Sequence, residues 1–142
     1  MATRNGSAEW RGGLKDGSGT LTVGDGVFEG AYSFSSRFEE GEGTNPEELI
    51  AAAHASCFAM ALSGVLSENG HVPTSLRSTA RVHLRNVDGA PTIARIDLEV
   101  EATVPDIDED GFREQAEQAK ANCPVSRALA GVPEIELTAR LD

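Results

Sequence analysis

Between residues 94 and 104 apolar side chains occupy every second position. Ala94, Ile96, Leu98, Val100, Ala102 and Val104 alternate with Arg95, Asp97, Glu99, Glu101 and Thr103. A sustained period of two predicts a strand with one apolar and one polar face, as in an antiparallel sheet covered by helices on one side. Upstream, Ala80, Val82 and Leu84 alternate with Arg81, His83 and Arg85, and Asp88-Gly89 predicts the turn of a hairpin. Ile135, Leu137, Ala139 and Leu141 make a closing strand. Near the start of the chain, residues 20–23 and 27–34 read as two strands joined across Gly24-Asp25-Gly26. Residues 37–43, with an Arg, three Glu and two Gly, read as an irregular exposed connection.

The period changes at Asn45. Asn is a good N-cap, Pro46 suits the first helical position, and Glu47 and Glu48 favour the positive end of the helix dipole. The helix is expected to run to about Glu68 and to end at Gly70, a length of ~35 Å. Apolar and small residues lie on nearly all its sides, so it is expected to be covered all round, with help from a partner subunit. A second helix is expected over about residues 109–121, with Phe112, Ala116 and Ala119 on one stripe. Cys123-Pro124 interrupts it. Pro124 opens a short third helix ending before Gly131, which puts Cys123 at an N-cap. The order of strands, helix, strands, helices and strand predicts an α+β fold in one domain spanning residues 1–142.

Composition narrows the partners. Hydrophobic residues make up 39% of the 142 residues, and the 15 Gly bring the chain to an ordinary globular composition. The net charge of −11 repels phosphate backbones and anionic lipid, so neither nucleic acid nor a membrane surface is expected as a partner. Residues 1–8 lack an apolar run, so no secretory signal is expected. The uncharged stretch 49–67 has nearly the length of a membrane span. It contains His54, Ser56, Ser63, Gly64 and several Ala, and reads as a buried helix of a soluble, cytoplasmic protein. There the two Cys stay reduced unless they cycle.

Those cysteines carry the candidate chemistry. Cys57 lies mid-helix, beyond the reach of the dipole, so its activation needs a cation from elsewhere. Cys123 sits at a helix start, where a thiolate is favoured. Their spacing leaves open a redox pair or two inert buried thiols. His54 shares a helix face with Cys57 and reads as half a zinc site or as a helix residue satisfied by a hydrogen bond. Further ligands would have to be Cys123, His71 or His83. Compact zinc spacing is absent, and His83 on a polar strand face is expected to be solvated. Arg37 reads either as a surface ion pair with Glu39, Glu40 or Glu42, or as a guanidinium that reaches a thiolate. Glu47 and Glu48 are helix-start carboxylates, one of which holds an Arg in the functional reading. No phosphate-binding Gly loop and no Gly-x-Ser-x-Gly element is present, and Trp10 by itself carries no signal.

Two segments resemble the active-site motifs of the OsmC/Ohr family of osmotically inducible proteins and organic hydroperoxide reductases. The first is Arg37-Phe38 with Gly43-Thr44-Asn45-Pro46-Glu47-Glu48-Leu49-Ile50-Ala51-Ala52-Ala53-His54-Ala55-Ser56-Cys57-Phe58-Ala59-Met60-Ala61-Leu62. The second is Ala121-Asn122-Cys123-Pro124-Val125-Ser126-Arg127-Ala128-Leu129. The Glu-Glu pair after Asn-Pro, together with His54, resembles the OsmC branch more than the Ohr branch. The likeness covers essentially the whole chain.

This resemblance implies a thiol-dependent peroxidase of oxidative and osmotic stress defence. It implies an intertwined homodimer in which each chain has strongly bent antiparallel sheets and a long central helix. No metal or bound cofactor is implied. Cys57 corresponds to the peroxidatic Cys, Cys123 to the resolving Cys, Arg37 to the activating Arg and Glu47 to the carboxylate that holds it, with Glu48 as the adjacent candidate. Organic hydroperoxides are the implied substrates, hydrogen peroxide a weaker one, and an external dithiol or lipoylated protein the reductant. Phe38, Phe58 and Met60 either favour alkyl or fatty-acid hydroperoxides or are ordinary core residues. On one straight helix Glu47 and Cys57 are ~15 Å apart and point about 80° from each other. Either the helix breaks or each site is composite, with Cys57 and Cys123 from one chain and Arg37 and Glu47 from the other. A non-enzymatic redox sensor and a ligand-binding dimer with inert thiols are the alternatives.

Overall fold

The computed structural model describes residues 2–142. Its contacts divide it into two units, one up to Glu48 and one from Leu49 onward. The first unit holds β1 (Gly6–Arg11), β2 (Ser18–Val23) and β3 (Phe28–Tyr32), paired antiparallel in the order β1-β2-β3. The hairpin expected across Gly24-Asp25-Gly26 is β2–β3. Strand β1 escaped the periodicity because only Ala8 and Trp10 mark an apolar face among Ser, Glu and Arg.

After β3 the chain does not continue as a strand through residue 34, nor is Arg37 in an irregular connection. Phe34–Phe38 form a short helix, α1. Ser33 is its N-cap: its Oγ accepts the Ser36 N–H at 3.1 Å, and Ser36 Oγ accepts the Ser33 N–H at 2.8 Å. This reciprocal box satisfies two backbone donors that a helix start otherwise leaves unpaired. The connection back to β3 is tight at Gly43, where φ is +116° and a Cβ would stand 2.6 Å from the Ala31 carbonyl oxygen. Only Gly is free of both penalties there.

Helix α2 (Pro46–Glu68) runs without interruption. Asn45 Oδ1 accepts the Glu48 N–H at 2.8 Å, so the expected N-cap is in place. At the far end Gly70 takes a φ of +84° while His71 N–H bonds back to Leu66 O. By length and composition this helix could cross a membrane. Yet Phe58, Leu62 and Leu66 on one side are fully buried in the core.

In the second unit β4 (Ser75–Val87) and β5 (Ala90–Thr103) form a long antiparallel hairpin. Val87 pairs with Ala90 across Asp88 and Gly89, whose φ values of +52° and +83° suit the two-residue turn that matches strand twist. A bulge follows His83, and Ala94 is the extra residue on β5. Beyond it Ile96, Leu98, Val100, Ala102 and Val104 are buried, as their alternation predicts.

Helix α3 (Glu109–Asn122), capped by Asp108, buries Phe112, Ala116 and Ala119. Helix α4 (Pro124–Ala128) follows, and β6 (Glu134–Leu141) closes the sheet in the order β4-β5-β6. The fold is α+β with two sheets and a long helix, but not every pairing is antiparallel: β6 runs parallel to β5. The crossover through α3 and α4 makes this possible, since parallel neighbours need a connection of a dozen residues or more. Each large side chain buried between sheet and helices contributes about 1.5–3 kcal/mol.

Within one chain α2 is covered on one side only. Ala52, Ser56, Met60 and Gly64, four residues apart along the helix, are exposed, Met60 to 77%. The other face alone is packed.

Candidate active site

The four sequence-predicted site residues form two pairs, one in each unit. In the second unit Cys57 of α2 and Cys123 stand with their sulfurs in hydrogen-bond contact at 2.8 Å, both as free thiols. A disulfide needs about 2.05 Å, so closure is a short movement. Cys123 is fully buried and Cys57 partly so.

Local structure explains where Cys123 stands. Its N–H ends α3 by bonding to Ala119 O at 2.9 Å, and Pro124, which has no N–H to lose, opens α4. Cys123 is thus the C-cap of one helix and the N-cap of the next. Its side chain accepts no capping bond from α4.

The two thiols are unequal. Burial pushes the Cys57 thiol up, and the neighbouring Cys123 pushes it further. For Cys123 burial also raises, but the contact with Cys57, the Ser126 N–H and hydroxyl and the Val125 N–H together bring it below the ordinary thiol value. Within residues 49–142 no cation acts on either sulfur. In contact, the two sulfurs titrate as a pair.

In the first unit Arg37 grips Glu47 at two points. Arg37 Nε donates to Oε1 and its Nη2 to Oε2, each at 3.0 Å. Glu47 is buried and Arg37 is partly open. The geometry separates Glu47 from Glu48, which instead accepts the Thr44 hydroxyl at 2.9 Å. Arg37 also passes over Glu39, Glu40 and Glu42 as ion-pair partners. The α1 helix aims it: Asn45, while capping α2, donates through Nδ2 to Ser36 O at 2.9 Å, and Ser36 Oγ donates to Thr44 O at 2.7 Å. Arg37 borders a cavity of about 210 Å³ lined by Trp10, Leu14, Tyr32, Phe34 and Phe38. Trp10, silent in the sequence, rests against Tyr32 at 5.3 Å between ring centres.

The remaining candidates resolve individually. Phe58 is a core residue, Met60 lies on the open face of α2, and Phe38 borders the cavity. His83 is half exposed on the polar strand face, as expected, and its Nε2 lies 2.7 Å from Asp97 Oδ2, beside Arg95. His71 Nδ1 contacts Pro105 O at 3.3 Å. His54 is buried with its Nε2 2.7 Å from Ser126 Oγ, and burial holds its pKa below the usual imidazole value. Among the described residues no group of three or more His, Cys, Asp or Glu is arranged to hold a metal ion. Ser126 was not singled out in the sequence. Its signal was the Ser three residues after an N-cap.

Known proteins resemble this chain in sequence and fold. The family model for OsmC-like protein matches residues 39–138. Peroxiredoxin OsmC of Escherichia coli (strain K12) is 49% identical over 127 residues, which is 89% of each chain. Organic hydroperoxide resistance protein OhrB of Bacillus subtilis (strain 168) is 30% identical over 122 residues, 84% of this chain and 88% of that one. The crystal structure of Bacillus subtilis OhrB superposes with a TM-score of 0.69, covering 97% of this chain and 98% of that chain at 27% identity. The resemblance read from the two motifs is borne out, and the chain belongs to the OsmC-like family.

Proposed function

We propose that this chain reduces organic hydroperoxides to alcohols through Cys57 and Cys123. That it is a peroxidase of hydroperoxide defence follows from its family. The observation that carries the mechanism is the contact of two free thiols at 2.8 Å. The Cys57 thiolate attacks the distal oxygen of the hydroperoxide and the O–O bond breaks, leaving a sulfenic acid and an alkoxide that takes a proton from solvent and departs as the alcohol. Cys123 attacks that sulfur, closes a disulfide and expels water. An external dithiol or lipoylated protein restores both thiols. No bound cofactor takes part.

Cys57 needs a cation to become the reacting thiolate, and we assign that task to Arg37, oriented by Glu47. A guanidinium donates to the peroxide oxygens as well as stabilising the anion. The aromatic-lined cavity beside Arg37 suits an alkyl tail better than hydrogen peroxide.

The uninterrupted α2 supports a composite site in a homodimer, since it removes the helix break as a way to bring Glu47 to Cys57. Along the exposed row, Ala52, Ser56 and Gly64 are small enough for a second helix to approach closely, and Met60 offers it an apolar side chain. The three-stranded sheet of the first unit buries only Leu21 among its apolar residues, too little for independent stability. A second copy supplies what both lack. The protein then works in solution, and we place it in the cytoplasm, where thiols are kept reducible.

Intact mass of the reduced protein after one equivalent of cumene hydroperoxide, with peptide mapping, tests this reading. Rapid loss of two hydrogens with a Cys57–Cys123 linkage is expected. Cys57→Ser abolishes turnover, and Cys123→Ser permits one oxidation and then stalls. No change, or slow oxidation scattered over Met and Cys, would overturn it.

A further inference from the structure

The turn between β1 and β2 sets two unusual side chains beside the aromatic cavity. Gly12 takes a φ of +93°, and the Gly13 carbonyl accepts both the Gly17 N–H at 2.9 Å and the Trp10 indole N–H at 3.3 Å. These bonds tie the turn to Trp10 and leave Leu14-Lys15-Asp16 at its tip. Turn tips ordinarily carry Gly, Pro, Asn, Asp or Ser. Here Leu14 lines the cavity although it is 67% exposed. The Lys15 ammonium stands 5.9 Å from the centre of the Phe34 ring, another wall of the same cavity.

Phe34 meets Phe38 with 4.9 Å between ring centres, and the Arg37 guanidinium lies 5.3 Å from the centre of the Phe38 ring. Two cations thus stand against different members of one pair of touching rings. Arg37 is committed to Glu47. Lys15 is in no ion pair among the described residues, not even with neighbouring Asp16. The chain's other lysine, Lys120, meets Glu117 at 3.8 Å. In a protein of net charge −11, acidic side chains are plentiful, and this ammonium at an apolar cavity has none. A cation so placed complements an amphipathic anion: an apolar chain on the rings with a negative head beside it.

The geometry points to Lys15 as a specificity-determining residue that takes the carboxylate of a fatty-acid hydroperoxide, whose chain crosses Phe34 and Phe38 and whose peroxide group lies at Arg37. This role rests on the cavity beside Arg37 being the seat of the hydroperoxide. A neutral alkyl hydroperoxide would fill the same cavity and leave Lys15 unused. An ammonium on a flexible stem is a solvated point charge, so it selects for the charge of the head rather than its shape. Lys15 takes no part in the bond changes at sulfur.

Steady-state kcat/KM for linoleic acid hydroperoxide and for its methyl ester tests this, since the two share a tail and differ in the charge. Wild-type protein is expected to favour the acid by about threefold, the scale of an exposed ion pair. Added salt reduces that ratio. Lys15→Gln brings the ratio to one and removes its salt dependence, Lys15→Glu turns it toward the ester, and Lys120→Gln keeps the wild-type ratio. Trp10, the only Trp and a wall of the cavity, supplies a readout without turnover. Its fluorescence is expected to respond to decanoate at lower concentration than to methyl decanoate, a difference lost in Lys15→Gln. Equal kcat/KM for acid and ester in wild type, or a preference for the acid that survives in Lys15→Gln, would overturn the proposal while leaving the peroxidase reading intact. Absence of turnover with every hydroperoxide, with decanoate still bound through Lys15, would instead remove the redox reading and keep the anchor.

Discussion

Arg37 and Glu47 meet in a two-point ion pair in which the carboxylate is buried and the guanidinium remains partly open. That asymmetry suits a device for aiming a cation. Glu47 uses both oxygens on Arg37 Nε and one Nη2, which leaves the other terminal nitrogen outside the pair. Glu47→Gln keeps the shape and removes the charge and one acceptor. Oxidation of Cys57 by an organic hydroperoxide is expected to slow roughly 10- to 100-fold, the scale of a misplaced catalytic group. Arg37→Lys is expected to do no better, since an ammonium cannot reproduce the fork. Stopped-flow oxidation rates check both, and wild-type rates in either variant would detach the pair from catalysis.

The unequal thiols give a prediction with a definite sign. Cys123 raises the Cys57 pKa through its contact and its charge, while Cys57 lowers that of Cys123. Cys123→Ala is therefore expected to shift the Cys57 titration to lower pH, and Cys57→Ala to shift that of Cys123 to higher pH. Thiolate ultraviolet absorbance against pH in the two variants reads each thiol separately. Shifts in the opposite directions would contradict this coupling of the two sulfurs.

Much of this site was legible in the sequence, and the unread parts have physical reasons. The strict alternation of β5 and the Asn45-Pro46-Glu47-Glu48 start of α2 each have a single consistent reading, and both are seen. Helix α1 was hidden because its box is Ser33 to Ser36 rather than Ser to Glu, and because its five residues carry too little periodicity. The direction of β6 was hidden because alternation sets which face is buried and is silent on which way the neighbour runs. Cys57 and Cys123 were visible as reactive candidates. Their contact was not, since it depends on α2 packing beside the junction of α3 and α4.

The open face of α2 carries the third prediction. Met60 is exposed to 77% between Ser56 and Gly64, where a second helix would have to pass. A carboxylate there would be desolvated by any partner without gaining a bond. Met60→Glu is expected to shift the protein from dimer to monomer in sedimentation equilibrium while leaving helix content nearly unchanged. Loss of Cys57 oxidation in that monomer, restored by raising protein concentration, would follow from an Arg37 supplied by the second chain. A Met60→Glu dimer with full activity would remove this face from the interface.

Two buried or half-buried groups set separable limits on acid stability. His54 has a pKa below the ordinary 6.5 because burial disfavours its charged form. Below pH 6.5 the unfolded chain binds this proton and the folded chain does not, so stability is full above that pH and falls as pH drops toward the folded value. Asp97 has a pKa below 3.8, first because His83 donates to it and then because Arg95 does. Its contribution is full above about pH 4 and is lost as pH falls through the folded value. Denaturant titrations across pH should therefore show two descending limbs. His54→Gln is expected to flatten the one just below pH 6.5 and leave the lower one, and Asp97→Asn to do the reverse. Loss of both limbs in a single variant would show that the two groups titrate as one system, contrary to their placement on α2 and on the polar face of β5.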